Sequence, residues 1–180
     1  SKRIITFNAD SKATIKANIN KIIYSDDLFN LVPPGIEIDR YNNRSINRSK
    51  ARKQFGFNEQ EFLIGSTGRL DLSKGFDILI KCMNELIYKD GIKLKLLIAG
   101  EGYLRDQFLQ LIIKYQLSNS IILLGCIENI EEFLKILDIY VQSSLIEGFP
   151  LATIEALAAK IPVVATDAGG LTEMINYRES

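Results

Sequence analysis

The stretch SSLIEGFPLATIEALAAKIPVVATDAGG, residues 143–170, reads as a loop, a helix and a strand in direct succession, and it decides the fold. Pro150 suits the first position of a helix, the residues after it are rich in good helix formers, and Gly148 lets the backbone approach a ligand closely. We expect Glu147 on the loop at the mouth of a parallel sheet. Glu155 is expected about a turn and a half into the helix.

The two carboxylates of this stretch are placed to bind two different polyols. Glu147 can accept hydrogen bonds from a hydroxylated group near the turn, and Glu155 from a second one farther along the helix. The free backbone amides at the start of the helix are left for phosphate. A sugar, a diphosphate and a ribose, in that order, are what a nucleotide sugar offers.

Strand and helix patterns alternate through most of the chain from residue 61 onward. Strands are predicted at residues 62–67, 94–99, 121–124, 139–142 and 163–166, and helices at residues 130–137 and 150–160. Two further helices are indicated by apolar residues at helical spacing, namely Phe76, Leu79, Ile80, Met83, Leu86 and Ile87 in the first and Leu104, Phe108, Leu111, Ile112 and Tyr115 in the second. Continuous apolar strands covered by amphipathic helices predict an α/β fold, a Rossmann-like parallel sheet with helices on both faces.

Polar residues and glycines collect where these predicted strands end. They are Gly68 and Arg69, residues 100–102, Gly125, Ser143 and Ser144, and residues 167–170. Ligands in sheets of this kind bind outside the carboxyl ends of the strands. The candidate site is therefore expected along this edge of the sheet.

The first sixty residues are organised differently. Short strands are predicted at residues 4–7 and 22–24, a rigid turn at residues 32–35, and a basic, asparagine-rich connection at residues 40–48. We interpret residues 1–40 as the remnant of a preceding domain with its interdomain linker, and residues 41–180 as one nucleotide-sugar-binding domain. A chain of 180 residues with 47% apolar residues is long enough for one well-packed domain and too short for two of ordinary size.

Charge is balanced overall but unevenly distributed. Lys plus Arg and Asp plus Glu both number 22, which gives no overall attraction to nucleic acid. Residues 1–53 carry 11 basic and 5 acidic side chains, and a basic run consists of Arg40, Arg44, Arg48, Lys50, Arg52 and Lys53. This run is interpreted either as a solvated linker or helix face, or as a docking site for an anionic membrane surface or an acidic partner.

The chain contains two cysteines and no histidine. Cys82 and Cys126 are too few for a disulfide framework, and their apolar sequence neighbours predict buried, reduced thiols in a cytoplasmic protein. Histidine-based triads and histidine metal sites are excluded within this chain. The N-terminus does not read as a signal peptide, and no run approaches the roughly 18 apolar residues of a membrane span. The expected location is cytoplasmic, with peripheral contact at the inner membrane if the basic run binds lipid.

The motifs occur in an order that is typical of one enzyme family. They are Gly68-Arg69-Leu70 with Lys74-Gly75, the turn Gly100-x-Gly102, Gly125 with Ile127, the pair Glu147-x7-Glu155 around Gly-Phe-Pro, and residues 162–170. With this ordered set the chain resembles the retaining, nucleotide-sugar-dependent glycosyltransferases of family 4, also called group 1. It resembles in particular the C-terminal, donor-binding half of their GT-B fold. The resemblance covers residues 65–173 strongly and residues 1–40 weakly.

The resemblance implies a role for each candidate site residue. Arg69 and Lys74 would hold the diphosphate and Glu147 would contact the donor sugar, which makes these three the candidate catalytic residues. Glu155 would bind the ribose hydroxyls, and Ile127 would lie against the base. The remaining candidates for donor binding are Gly68, Gly102, Gly148, Phe149, Pro150, Leu151 and Thr153.

The resemblance also implies the reaction and the partners. A sugar would pass from a UDP-, GDP- or ADP-sugar to an acceptor with retention at the anomeric carbon. No cofactor is implied, and no metal is needed if Arg69, Lys74 and a helix N-terminus neutralise the leaving diphosphate. The implied partner is an N-terminal, acceptor-binding domain. Because that domain and the closing helices that normally follow Glu173 have no counterpart in the 180 residues, we expect a C-terminally truncated donor domain that is inactive alone.

Each of the charged candidates has a structural alternative. The two candidate cations could be surface charges paired with Asp71 or Asp77. Glu155 could be a solvated helix residue. Glu147 could instead stabilise the following helix, because its negative charge lies near the positive end of the helix dipole.

Three positions depart from the expected patterns. Arg105 stands where a dinucleotide fingerprint has its third glycine, so a strand-ending turn is favoured over a pyrophosphate cradle at Gly102. Pro34 stands where the family usually has Asn before the glycine of the linker turn. Lys160 stands where the helix usually ends in Gly, and a Lys in a left-handed cap costs roughly 1 kcal/mol.

Two other kinds of function stay open at this point. A nucleotide-sugar epimerase or a phosphorylase has a related two-domain plan, although no lysine motif for pyridoxal phosphate can be assigned here. A non-catalytic nucleotide-binding or interaction domain has the same fold without turnover. The pair of glutamates together with Arg69 and Lys74 favours the transferase, because a purely structural domain has no reason to keep these residues in register.

Overall fold

The computed structural model describes residues 7–9, 29–31, 34–43 and 45–171. Two short strands, β1 (Phe7–Ala9) and β2 (Phe29–Leu31), pair in parallel and form a two-stranded sheet of their own. Of the two strands predicted in this region, the first has only Phe7 among the described residues, and the second, at residues 22–24, lies outside them. The division into domains at residue 40 stays a prediction.

The main sheet has five parallel strands in the order β5-β4-β3-β6-β7. They are β3 (Leu63–Thr67), β4 (Lys95–Ala99), β5 (Ile121–Gly125), β6 (Ile139–Gln142) and β7 (Val163–Ala165). Each begins and ends within one residue of its predicted bounds. Because β4 and β5 lie on one side of β3 while β6 and β7 lie on the other, the place between β3 and β6 is the topological switch point of a doubly wound sheet.

The described residues also form six α-helices. They are α1 (Ile38–Tyr41), α2 (Arg48–Gln54), α3 (Phe76–Asn84), α4 (Arg105–Lys114), α5 (Ile130–Ile136) and α6 (Leu151–Ala158). A 3-10 turn (Leu72–Lys74) precedes α3, and a π-helical turn (Glu85–Lys89) follows it. The stretch predicted as a connection, residues 40–48, therefore includes the end of α1 and the first residue of α2. None of the helices in the described part of the chain is both long and apolar enough to cross a membrane.

Helices cover both faces of the main sheet, as predicted. Leu63 and Leu97 pack on one face with α2, α5 and α6, whereas Ile64 and Leu96, their neighbours along the same strands, pack on the other face with α3 and α4. This alternation is the two-residue period of a pleated strand. The second face contains the predicted core residues Phe76, Leu79, Ile80, Met83, Leu104, Phe108 and Ile112.

One member of the basic run is a core residue. Arg52 in α2 is 1% exposed, and its guanidinium donates to the carbonyl oxygen of Ile136 at 3.0 Å and to Oδ2 of Asp138 at 2.8 Å. It donates to three further carbonyl oxygens, those of Asn58, Glu59 and Glu61. Burial opposes ionisation of Asp138, but hydrogen bonds from Leu63 and the arginines outweigh it and hold the pKa of Asp138 below its usual value.

These contacts correct the interpretation of the basic run as one uniform surface. Arg52 is neither solvated nor available for docking. Arg48 forms an ion pair with Asp138, and Arg40 forms one with Glu131 in α5. Arg44 lies outside the described residues. Among the described members of the run, the membrane-docking interpretation now depends on the exposed Lys50 and Lys53, and it stays a prediction.

The prediction of two buried thiols is wrong, since Cys82 and Cys126 are both exposed. Apolar neighbours in sequence are not neighbours in space. In α3 the buried face is formed by Ile80 and Met83, which turns Cys82 outward. Cys126 lies in the turn after β5, where the chain has already left the sheet.

The prediction for Lys160 is confirmed. Its φ is 62°, in the left-handed region that favours glycine. The N–H of Lys160 donates to the carbonyl of Leu157 at 2.9 Å, and the N–H of Ile161 donates to the carbonyl of Ala156 at 3.1 Å. These two bonds form a Schellman cap at the end of α6, so the helix ends there despite the absence of glycine.

Candidate functional site

The carboxyl ends of the five strands lie along one edge of the main sheet. Gly68 follows β3, Gly100 follows β4, β5 ends at Gly125 and Ser143 follows β6. The segments that follow β3 and β6 leave the sheet at the switch point, where an open α/β sheet has its crevice. These two segments carry the three candidate catalytic residues, which sequence analysis placed at this edge.

The segment after β3 is held against the turn after β4. The N–H of Leu70 donates to the carbonyl of Glu101, and the N–H of Leu104 donates to the carbonyl of Leu70, both at 3.0 Å. A Cβ on Gly102 would overlap the backbone of Leu70, so only glycine permits this approach. Gly102 thus packs against the loop that carries Arg69, and its contact with a donor stays a prediction.

A 3-10 turn positions Lys74. The Oδ1 atom of Asp71 accepts from the N–H of Ser73 at 2.9 Å, and the Ser73 hydroxyl holds the pKa of Asp71 below its usual value. Gly75 follows with a φ of 63°, and a Cβ there would overlap the carbonyl oxygen of Ser143. This close approach brings the segments after β3 and β6 together.

Lys74 and Glu147 form an ion pair where the two segments meet. The Nζ atom of Lys74 lies 2.7 Å from Oε2 of Glu147, and the two side chains are 19% and 9% exposed. The same oxygen accepts from Nε2 of Gln142 at 3.0 Å and from Oγ of Ser144 at 2.8 Å. The main chain of Glu147 accepts from the N–H of Gly170 at 3.1 Å. The carboxylate is therefore fixed by three side-chain donors, which a role at the helix dipole alone does not explain.

A buried network supports the contact between Gln142 and Glu147. Gln142 is 3% exposed, and its Oε1 atom accepts from the hydroxyl of Tyr140 at 3.0 Å. The Tyr140 hydroxyl lies 2.8 Å from Oγ1 of Thr67, and burial raises the pKa of Tyr140, so this hydroxyl stays neutral. Sequence analysis missed Tyr140 and Gln142, and it placed Ser144 at this edge without assigning it a contact. A glutamine at the end of an otherwise apolar strand is the sequence feature that could have indicated this network.

Glu155 lies in the second turn of α6 and has a partner far away in sequence. Its Oε1 atom accepts a hydrogen bond from the hydroxyl of Tyr41 at 2.8 Å. Tyr41 ends α1 and is 5% exposed. Burial, together with the hydrogen bond to Glu155, raises the pKa of Tyr41 to about 12, so the hydroxyl is a permanent donor at neutral pH. Sequence analysis missed this contact.

A cavity of about 330 Å³ opens beside the carboxyl ends of β3, β4 and β5. Ile127 lines one part of it and also packs against the core, which gives the cavity an apolar wall. Gly68, Arg69, Glu101 and Cys126 are among its other lining residues. The structure thus brings Gly68, Arg69 and Ile127, three of the predicted site residues, to one opening.

Sequence analysis left open that Arg69 and Lys74 are surface charges paired with Asp71 or Asp77, and one such pair is present. Arg69 lies 3.3 Å from Asp71, but the Arg69 side chain is 82% exposed, and exposed ion pairs contribute little. Asp77 pairs with Lys81 instead. The Arg69 guanidinium therefore remains accessible from solvent.

The loop before α6 carries the remaining predicted residues. Gly148 and Phe149 are half-buried, Pro150 occupies the N-cap position, and Leu151 begins the helix one residue later than predicted. Thr153 is fully buried, and its Oγ1 atom has no hydrogen-bond partner within the described residues. Because the Thr153 side chain is completely buried, a ligand cannot reach this hydroxyl in the conformation observed, and the role of Thr153 in donor binding stays a prediction.

A larger cavity, of about 580 Å³, lies at the opposite edge of the sheet. Its walls include Phe62, Leu94, Lys95 and Ser120, which precede or begin β3, β4 and β5. It contains none of the predicted site residues. Because open parallel sheets bind ligands at the carboxyl ends of their strands, the smaller cavity is the candidate site.

The strand order and the charged crevice define the chain as a Rossmann-like α/β domain. The sequence model of the family described as Glycosyl transferases group 1 matches residues 47–180, and this chain belongs to that family. The family-level resemblance inferred from the motifs is thereby confirmed.

Similar proteins agree with this assignment. Uncharacterized glycosyltransferase MJ1059 of Methanocaldococcus jannaschii is 36% identical over 138 residues, which are 76% of this chain and 33% of that protein. D-inositol 3-phosphate glycosyltransferase of Nocardia farcinica is 31% identical over 157 residues, 83% of this chain and 34% of that protein. The crystal structure of Anabaena Alr3699/HepE in complex with UDP and glucose matches this chain with a TM-score of 0.85 and 26% identity. The match covers 96% of this chain and 47% of the chain in that structure.

The structural likeness also confirms the predicted fold, the C-terminal half of a GT-B glycosyltransferase. The chain spans between a third and about half of the length of these relatives.

Proposed function

We propose that this chain is the donor-binding domain of a retaining glycosyltransferase that moves a sugar from a nucleoside diphosphate sugar to an acceptor hydroxyl. The observation that carries the proposal is the 2.7 Å contact between Lys74 and Glu147 at the switch point. A cation for a diphosphate and a carboxylate for a sugar lie side by side. The bond that must break joins those two parts of the donor.

Arg69 and Lys74 are proposed to neutralise the diphosphate as it leaves. Lys74 approaches from the crevice and Arg69 from the mouth of the cavity, so the two cations can bind different phosphate oxygens. The dipole of α6 adds partial positive charge at the start of the helix, although the N–H groups of Leu151 and Thr153, which were predicted to be free for phosphate, donate to the carbonyls of Phe149 and Pro150. On this proposal the residues of the chain supply the neutralising charge without a metal or other cofactor.

Glu147 is proposed to bind hydroxyls of the donor sugar. Because Lys74, Gln142 and Ser144 already fix the carboxylate, it can hold the sugar in one orientation relative to the diphosphate. When the bond from the anomeric carbon to the diphosphate oxygen breaks, the diphosphate keeps the electron pair. The acceptor oxygen then bonds to the anomeric carbon, and its proton passes to an oxygen of the leaving diphosphate, which lies on the same face of the sugar. Retention means that this bond forms on the face that the diphosphate leaves.

Glu155 and Ile127 are proposed to bind the nucleoside. Glu155 accepts hydrogen bonds from ribose hydroxyls, and the apolar wall formed by Ile127 lies against the base. The solved structure of Anabaena Alr3699/HepE contains UDP and glucose, which supports UDP as the first nucleotide to test. GDP and ADP fit the same chemistry.

An acceptor-binding domain is the proposed partner, since the chain spans less than half of the length of the structural relative with UDP. Closure between two such domains would supply the acceptor and exclude water. The proposed location is the cytoplasm. The exposed Lys50 and Lys53 are candidates for contact with an anionic inner-membrane surface.

Calorimetric titration of the 180-residue chain with UDP, GDP and ADP tests the proposal. We expect weak but measurable binding of at least one of them, reduced by Arg69→Ala and by Glu155→Ala. Glu85→Ala is the control, because Glu85 is an exposed residue on the π-helical turn. The corresponding nucleotide sugar is expected to bind little more tightly than the diphosphate, since Glu147 holds the sugar from one side only.

Transfer by the isolated chain is expected to be undetectable with any acceptor. Failure of all three nucleotides to bind would overturn the proposed function. Efficient glycosyl transfer by the chain alone would instead overturn the claim that a second domain completes the site. Unchanged affinity in both Arg69→Ala and Glu155→Ala would favour a nucleotide-binding domain with a different site.

A further inference from the structure

We infer that Tyr41 is a positioning residue for the nucleotide, because its hydroxyl fixes the carboxylate of Glu155 in the orientation that binds ribose. The inference rests on the proposed function, in which Glu155 accepts hydrogen bonds from the ribose hydroxyls. It adds a residue that lies outside the sheet, on α1, which precedes α2 and the first strand of the main sheet.

The contact between Tyr41 and Glu155 leaves the carboxylate able to bind a ligand. The Tyr41 hydroxyl donates to Oε1 at 2.8 Å, and it is the one hydrogen-bond partner of the Glu155 side chain within the described residues. An ionised carboxylate has about four lone-pair sites, so several remain for two ribose hydroxyls. A free glutamate side chain would otherwise sample several rotamers, and binding would then have to order it.

Tyr41 is itself held firmly enough to act as a fixed point. Its ring is buried in the same core cluster as Ala156, the residue that follows Glu155 in α6. The guanidinium of Arg40 lies 5.7 Å from the centre of the Tyr41 ring and pairs with Glu131 in α5. Helix α1 is thus fastened to both α5 and α6.

This arrangement couples the ribose site to the connection that enters the domain. Helix α1 (Ile38–Tyr41) spans residue 40, where the stretch interpreted as an interdomain linker meets the donor domain. Any displacement of α1 would move the Tyr41 hydroxyl away from the Glu155 carboxylate. The orientation of the ribose-binding carboxylate therefore depends on the position of the linker.

The test compares two ligands on the wild-type chain and on Tyr41→Phe. The ligands are whichever of UDP, GDP and ADP binds the wild-type chain most tightly, and its 2′,3′-dideoxy form. Tyr41→Phe keeps the buried ring and removes only the hydroxyl. We expect it to weaken binding of the ribonucleotide by about threefold to tenfold, the range of one net hydrogen bond. Binding of the dideoxy nucleotide is expected to stay unchanged.

Tyr88→Phe is the matched control, because it removes a hydroxyl that donates to the carbonyl of Gln116 at 2.9 Å, away from the site. It should change neither affinity. Equal losses for the two ligands in Tyr41→Phe would show a general structural role and overturn the inference. So would an unchanged affinity in Tyr41→Phe when Glu155→Ala loses ribonucleotide binding. If none of the three nucleotides binds the wild-type chain, the proposed function fails first and the inference fails with it.

Discussion

Replacement of Lys74 by methionine is expected to weaken binding of UDP to the 180-residue chain by about 10- to 100-fold, the range for a hydrogen bond to a charged group. The binding of uridine, which has no phosphate, should not change. The physical reason is twofold. The variant loses the cation that the structure places at the crevice, and it leaves the 9% exposed carboxylate of Glu147 beside the diphosphate without its counterion.

Methionine keeps the apolar stem of the lysine, which packs against Gly68. Lys81→Met is the matched control, because Lys81 lies in α3 in an exposed ion pair with Asp77. Calorimetric titrations with UDP and uridine measure both variants. An equal loss of uridine and UDP affinity in Lys74→Met would point to distortion of the loop, and no loss of either would exclude Lys74 from the phosphate site.

Replacement of Arg52 by methionine is expected to lower the free energy of unfolding by about 3–5 kcal/mol, as is typical when one partner of a buried ion pair is removed. The variant leaves Asp138 without its buried cation. It also leaves four backbone carbonyls, at Ile136, Asn58, Glu59 and Glu61, without a donor. Urea denaturation followed by circular dichroism measures the change.

Arg48→Met provides the comparison for Arg52, since both arginines bind the same carboxylate. Arg48 is 44% exposed and Arg52 is 2% exposed, measured on the side chains. The exposed pair should contribute no more than about 1 kcal/mol. Arg52→Lys is expected to recover only part of the stability, because a lysine cannot reach several carbonyls in a planar fan. A loss below about 1 kcal/mol in Arg52→Met would contradict the buried role.

The sheet and the edge that carries the site could be predicted from the sequence. Continuous apolar runs mark buried parallel strands, and glycines and polar residues mark where those strands end. All carboxyl ends of a parallel sheet lie at one edge, so Arg69, Lys74 and Glu147 could be assigned to one region without knowledge of the strand order. The left-handed cap at Lys160 was indicated by the family pattern, in which this helix usually ends in glycine.

The contacts within the site could not be predicted, because they depend on which strands are neighbours. Lys74 and Glu147 are 73 residues apart, and they meet because β3 lies next to β6. Tyr41 and Glu155 are 114 residues apart and meet because α1 packs on α6. Composition was also misleading for the basic run. Nothing in the local sequence separates Arg52 from its exposed neighbours, and its burial follows from packing of α2 against α5.

The central claim is that a nucleoside diphosphate binds at the carboxyl edge of this sheet, and the rate of alkylation of Cys126 tests it most directly. Cys126 is exposed and lines the cavity with Arg69 and Ile127. Cys82 is also exposed but lies in α3 and does not line the cavity, so each molecule contains its own control. Peptide mass spectrometry after N-ethylmaleimide treatment gives both rates.

With UDP at ten times its dissociation constant, alkylation of Cys126 should slow by about tenfold, because only the free protein reacts. The rate at Cys82 should not change. An unchanged rate at Cys126 at a UDP concentration that saturates the chain by calorimetry would show that the nucleotide binds elsewhere, and would contradict the proposed site.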